Sequence, residues 1–136
     1  MSDTLRVCLI AMLLAAGVAP VPAAAEEIDT WTPVVERRKD VLVARLAVCE
    51  SGATAHPDRS GYIGPYQFST GTVINYVRER DGRTLTVAQA QALARDDAQA
   101  AELAKYMIFE RNGASHWPAC SRKLGLARRV ALIRVP

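Results

Sequence analysis

Two cysteines, Cys49 and Cys120, constrain the fold of this chain more than any other residues. The sequence holds three cysteines in 136 residues, and the third, Cys8, lies in an N-terminal stretch patterned like a secretory leader. Arg6 precedes an apolar run from Val7 to Val18, and Ala23-Ala24-Ala25 supplies small residues for cleavage before Glu26. Residues 1–25 are therefore expected to be a signal peptide. The apolar run falls short of the roughly 20 residues that span a bilayer comfortably. A retained anchor is the alternative, but no stop-transfer flank follows. Cys8 stands at the front of the run, whereas a lipid-attachment cysteine belongs at its exit. With the leader removed, an even pair remains in a small exported domain, which reads as a disulfide. A reducing compartment would leave two thiols instead. A bridge closing about 70 residues stabilises by roughly 4 kcal/mol in the chain-entropy model. That is a large contribution to one domain of about 110 residues.

Charge narrows the partners. The net charge is +3, and the leader carries one Arg and one Asp, so its removal leaves the balance unchanged. The basic excess gathers late in the chain, in Arg122, Lys123, Arg128, Arg129 and Arg134. Outside the cytoplasm such a face suits a cell wall or membrane surface before nucleic acid. No interleaving of aromatic and basic residues points to nucleic-acid binding.

Helical signals dominate from Thr32 onward. Thr32-Pro33 gives a cap followed by proline at a first helical position. Val34, Val35, Val41, Leu42, Leu46 and Cys49 recur at helical spacing up to Ser51-Gly52, where glycine ends the helix. Turn residues fill 53–68, predicting a loop or short hairpin. A second helix is expected over Thr70–Asp81, capped by Ser69 and stopped by Gly82, with Val73, Ile74 and Val77 inward. Thr86-Val87-Ala88-Gln89 has capping-box spacing and opens a third helix. A break near Arg95-Asp96 separates it from a fourth, which runs to Asn112-Gly113 with Ala98, Ala101, Leu103, Ala104 and Ile108 as its core face. The fold class is mostly α: a small helical domain with one loop or hairpin after the first helix, and one disulfide.

Chemistry-bearing residues cluster around that loop. Glu50 falls in the last turn of the first helix, where the negative end of the helix dipole favours the protonated acid. A partly apolar setting, for which Val48 and Cys49 are candidates, would raise its pKa and suit it to donate a proton to a leaving oxygen. Gly61 and Gly64 permit close approach to a ligand or a sharp turn. Gln67 brings donors and an acceptor suited to sugar hydroxyl or acetamido groups. Tyr62, Tyr66 and Trp117 are candidate stacking platforms, with partial core as the alternative for each. His56 and His116 have no ligand-spaced partners, so no metal site is expected. No serine stands in a nucleophile elbow.

At these residues the chain resembles the catalytic domain of the resuscitation-promoting factors, small secreted relatives of lysozymes and lytic transglycosylases that act on peptidoglycan. The likeness spans Leu46 to Leu126. Cys49-Glu50 is similar to the family's Cys-Glu step. The run Gly61-Tyr62-Ile63-Gly64-Pro65-Tyr66-Gln67-Phe68, continuing to Thr72, is similar without gaps to its Gly-Tyr-x-Gly-x-x-Gln-Phe-x-x-x-Thr loop. Asp97-Ala98-Gln99-Ala100-Ala101 fits its Gln-and-Ala helix loosely. Trp117-Pro118-Ala119-Cys120 resembles its Trp-Pro-x-Cys ending. The resemblance implies a lysozyme-like α+β domain over 26–126, with 127–136 as a basic tail. It implies Glu50 as catalytic acid, a glycan groove lined by Tyr62, Gln67 and Thr72, and a Cys49–Cys120 bridge. The chain departs from the family in its aromatics. Ala53-Thr54-Ala55-His56 stands where a Gly-Asn-Trp-like segment is usual, Val73 follows the loop threonine in place of Trp, and Ala114 stands where another Trp is expected.

The function implied is cleavage of the bond between N-acetylmuramic acid and N-acetylglucosamine by an exported monomeric enzyme of the periplasm or cell wall, without cofactor or lasting membrane insertion. With a second carboxylate, for which Asp58 is nearest, water would complete the reaction. With Glu50 alone, the substrate's own hydroxyl would attack and leave an anhydro product, which is the favoured outcome. The alternative is an inactive glycan-binding domain on the same scaffold, and a third is a disulfide-stabilised helical protein with a protein partner.

Overall fold

The computed structural model describes residues 31–52 and 58–134, with side chains as far as Ile133. The expected leader and residues 53–57, His56 among them, lie outside the described residues.

Helix α1 (Trp31–Ser51) is followed by strands β1 (Tyr62–Ile63) and β2 (Phe68–Ser69), then helices α2 (Thr70–Asp81), α3 (Val87–Arg95) and α4 (Asp97–Phe109). A single 3₁₀ turn, Gly113–His116, leads to α5 (Pro118–Leu124) and α6 (Leu126–Arg134). The domain is mostly helical with one two-stranded sheet, as expected. Among the described residues no helix is long and apolar enough to cross a membrane.

Local chemistry sets most of the boundaries. The Ser69 hydroxyl accepts from Thr72 N and caps α2, and Gly82, in the left-handed region, closes it. Thr86 and Gln89 form the reciprocal capping box that opens α3. Asp96 ends α3 and caps α4, its side chain accepting from Gln99 N, so the expected break is one residue serving two helices. At α1 the expectation shifts slightly. The described part of the helix already includes Trp31, so Thr32 and Pro33 lie within it and Thr32 is not its cap.

The core sits between α1 on one side and α2, α3 and α4 on the other, closed at one end by α5 and α6. Leu42, Val43 and Leu46 of α1 and Leu103, Met107 and Ile108 of α4 are buried in one core, and the two helices are in contact. Three inward assignments are corrected. Val34 and Val41 are exposed because they point away from α4, and Ala98 is exposed at the start of that helix. The stretch expected as a basic tail is also different. Leu126, Val130 and Ile133 recur at helical spacing and are buried, so 126–134 is a helix packed on α1 with Arg128 and Arg129 exposed.

Candidate functional site

The hairpin after α1 is a small clamped structure. Tyr62 pairs with Ser69 and Ile63 with Phe68. Asp58 closes the loop from outside: Oδ1 accepts from Gly64 N at 3.0 Å, and Oδ2 accepts from Arg95 Nε at 3.0 Å and pairs with Arg95 Nη2 at 2.9 Å. Both oxygens of the nearest second carboxylate are thus engaged in holding backbone and α3. Gly64 has φ 73°, and a Cβ there would lie 1.7 Å from the Ala94 carbonyl oxygen. Of the two readings of this glycine, a sharp turn or close approach to a ligand, the turn is present, and the close approach is to α3.

The turn Gly64–Gln67 presents Gln67. Its backbone N–H donates to Gly64 O at 3.1 Å and its Nε2 to the same oxygen at 2.9 Å. Gln67 itself has φ 51°, a sparsely populated conformation for a residue with a side chain. Beside it, Thr72 Oγ1 and Ser69 Oγ share a hydrogen bond of 2.8 Å at the start of α2.

These groups line one groove of about 210 Å³: Tyr62, Gln67, Phe68, Ser69, Thr72, His116 and Trp117. Four of the residues picked from sequence, Tyr62, Gln67, Thr72 and Trp117, therefore come together, although they span 55 positions (117 − 62). Tyr62 stands at the lip, 53% exposed. Trp117 is part of the floor: it is buried, stacks at an angle on Phe68, and its Nε1 donates to Tyr66 O at 2.7 Å.

Tyr66 is a correction. It is buried in the core against Phe68, outside the groove lining, and burial pushes its hydroxyl pKa up to about 12. His116 was missed as a groove residue. Its Nε2 shares a 2.9 Å hydrogen bond with the Tyr76 hydroxyl, and its ring lies edge-on to Trp117. The signal was its place one residue before the Trp-Pro-Ala-Cys motif.

Glu50 sits at the end of α1 on its core face. It is four residues beyond Leu46 and seven beyond Val43, both buried, which puts all three on one side of the helix. Burial raises its pKa above the ordinary carboxylate value. Val48 does not supply that environment, since it is 57% exposed and lies about 160° round the helix from Glu50. The bridge between Cys49 and Cys120 is formed, with Cα atoms 5.9 Å apart. Adding one peptide step to Glu50 and one helical turn to Trp117 puts the Cα atoms of those two residues at most about 15 Å apart. Glu50 is not itself among the groove-lining residues.

Among the described residues the lining holds hydroxyls, an amide, an imidazole and aromatic rings, and no carboxylate, lysine or arginine. That set suits a neutral polyhydroxylated ligand, with hydroxyl groups to bond and ring faces to stack on. No protein family, curated protein or solved structure compared with this chain matches it.

Proposed function

We propose that this protein cleaves the glycan strand of peptidoglycan between N-acetylmuramic acid and N-acetylglucosamine, with Glu50 as its single catalytic acid. The observation that carries the proposal is the assembly of Tyr62, Gln67, Thr72 and Trp117 into one polar groove, and the raised pKa of Glu50, next to the cysteine that bridges to α5, supports it. Glu50 protonates the glycosidic oxygen as the bond breaks and positive charge builds on the sugar ring. Since Asp58 is engaged by Gly64 N and Arg95, the second half of the reaction falls to Glu50 as base. It takes the proton from a substrate hydroxyl, which closes on the anomeric carbon and yields an anhydro sugar.

Purified sacculi incubated with the protein should release anhydro-muropeptides. Products one water heavier would instead assign hydrolysis. Glu50→Gln should reduce release by about two orders of magnitude or more, the range expected for loss of a general acid, while leaving the far-ultraviolet spectrum unchanged. Undiminished release by that variant would refute the role of Glu50.

One observation favours a second reading. Trp117 and Tyr66, two of the three aromatic platforms expected, are buried, which leaves Tyr62 to stack on sugar. A glycan-binding domain without turnover would be pulled down by sacculi, release nothing, and bind as well with Gln at position 50.

A further inference from the structure

The side of α1 that faces away from Glu50 carries a second surface. Val34, Val41 and Val48 follow one another at intervals of seven residues, and the latter two are 49% and 57% exposed. Seven-residue spacing on one face of a straight helix makes a seam matched by a second helix wound against it. The seam opens into an apolar groove of about 630 Å³ between α1 and α5, with Val41, Ala44, Val48 and Leu124 along it and Arg45 and Lys123 at its rim. From Val34 to Val48 it runs about 21 Å, or four helical turns.

Charge is segregated around the same helix. Glu36 and Asp40 point towards α4, where both pair with Lys105, and Glu36 also pairs with Lys39 one turn along α1. The flanks of the seam are basic instead. Arg37, Arg38 and Arg45 border it on α1, and Lys123 faces it from α5. Among the described residues no carboxylate lies within ion-pair distance of Arg37, Arg45 or Lys123, and Arg38 lies over the Trp31 ring. A second copy of this face would bring like charges together. A helix with apolar residues at heptad spacing and acidic flanks complements both the shape and the sign.

We propose that the Val34–Val41–Val48 face and its groove against α5 dock an acidic amphipathic helix of a partner protein. The site lies about 160° round α1 from Glu50, so docking leaves the sugar groove open and does not depend on the catalytic proposal.

The test uses the full chain and a synthetic peptide of about three heptads with leucine at the seam positions and glutamate flanks. Binding is followed by calorimetry and by the fluorescence of Trp31, which is exposed at the start of this helix while Trp117 is buried. The Glu-flanked peptide should bind, and a Lys-flanked peptide of the same seam should not. Val41→Asp with Val48→Asp should weaken binding by about tenfold or more. Arg45→Glu with Lys123→Glu should reverse the preference and select the Lys-flanked peptide. All of these positions are exposed, so melting curves should stay close to the parent's. Equal binding of both peptides, or binding indifferent to the valine changes, would overturn the proposal. So would self-association abolished by Val41→Asp, or attachment to phosphatidylglycerol vesicles without peptide binding. Glu50→Gln should bind the peptide unchanged whatever happens to sacculus cleavage.

Discussion

Helix α1 has two apolar faces with opposite fates. Leu42, Val43 and Leu46 are buried against α4, α5 and α6, while Val34, Val41 and Val48 are 41%, 49% and 57% exposed. The residue types are nearly the same, so nothing intrinsic to the helix distinguishes the faces. What separates them is which neighbours the rest of the chain brings, and one of these, α5, is also tied to α1 by a covalent link. Burial is thus a property of the pairing of elements, and the amphipathic pattern of a single helix states only what is available to be buried.

Cutting that link is the strongest way to break the contrast. Cys49→Ser with Cys120→Ser frees α5 from α1 and removes a crosslink worth roughly 4 kcal/mol. The midpoint of urea unfolding should fall accordingly, and reductant should lower the parent to the same value. A parent insensitive to reductant would show that apolar packing alone holds α5.

Truncation on each face measures the difference directly. Leu46→Ala, at a fully buried site, should cost about 3 kcal/mol in loss of transfer energy and creation of a cavity. Val41→Ala and Val48→Ala should each stay within about 0.5 kcal/mol of the parent. If the valine variants cost as much as the leucine one, the outer face is covered in solution.

The hairpin offers the same comparison between two glycines. Gly64 and Gly61 both have positive φ, but only Gly64 meets a neighbour, the Ala94 carbonyl. Gly61→Ala should cost about 1 kcal/mol for the left-handed backbone. Gly64→Ala adds a steric clash and should cost roughly 2–3 kcal/mol in all. Thermal melts of the two variants separate backbone conformation from close packing.

Much of this fold is legible in the sequence because the decisive chemistry is local. Ser69, Gly82, Thr86 with Gln89, and Asp96 fix helix ends through contacts three or four residues away, and each does what its spacing predicts. Features that depend on distant partners were harder. The glycine at position 64 is needed for its approach to Ala94 of α3, 30 residues later in the chain. Tyr66 and Trp117 carry rings that serve a core or a sugar equally well, and only their burial against Phe68 in the fold shows which. For α6 the signal was present but overshadowed: Leu126, Val130 and Ile133 have helical spacing beneath a conspicuous run of arginines. The groove was half legible, since Tyr62, Gln67 and Thr72 lie in one motif, whereas His116 joins them only through the fold.

The smallest expected effect concerns two glutamates on α1 whose surroundings differ in kind. Burial raises the pKa of Glu50, while the Lys39 ammonium beside Glu36, aided by Lys105, lowers that of Glu36. The folded chain therefore binds a proton at Glu50 more tightly than the unfolded chain does, and at Glu36 less tightly. For Glu50 the cost of ionisation is absent below the ordinary value of 4.5 and fully present above the raised one, so its contribution to stability falls as pH rises through that window. For Glu36 the stabilisation is present above 4.5 and is lost as pH falls through the lowered value. Glu50→Gln should accordingly melt slightly above the parent at about pH 7 and converge with it at about pH 4, and Glu36→Gln should melt slightly below it at about pH 7. Both differences stay small because each carboxyl remains partly in contact with water. Should Glu50→Gln melt with the parent at both values of pH, its carboxyl ionises as an ordinary surface group, and the two glutamates differ only in position. The side of α1 that ends in Glu50 would then offer a glycosidic oxygen no better acid than solvent-exposed carboxyls elsewhere on the molecule.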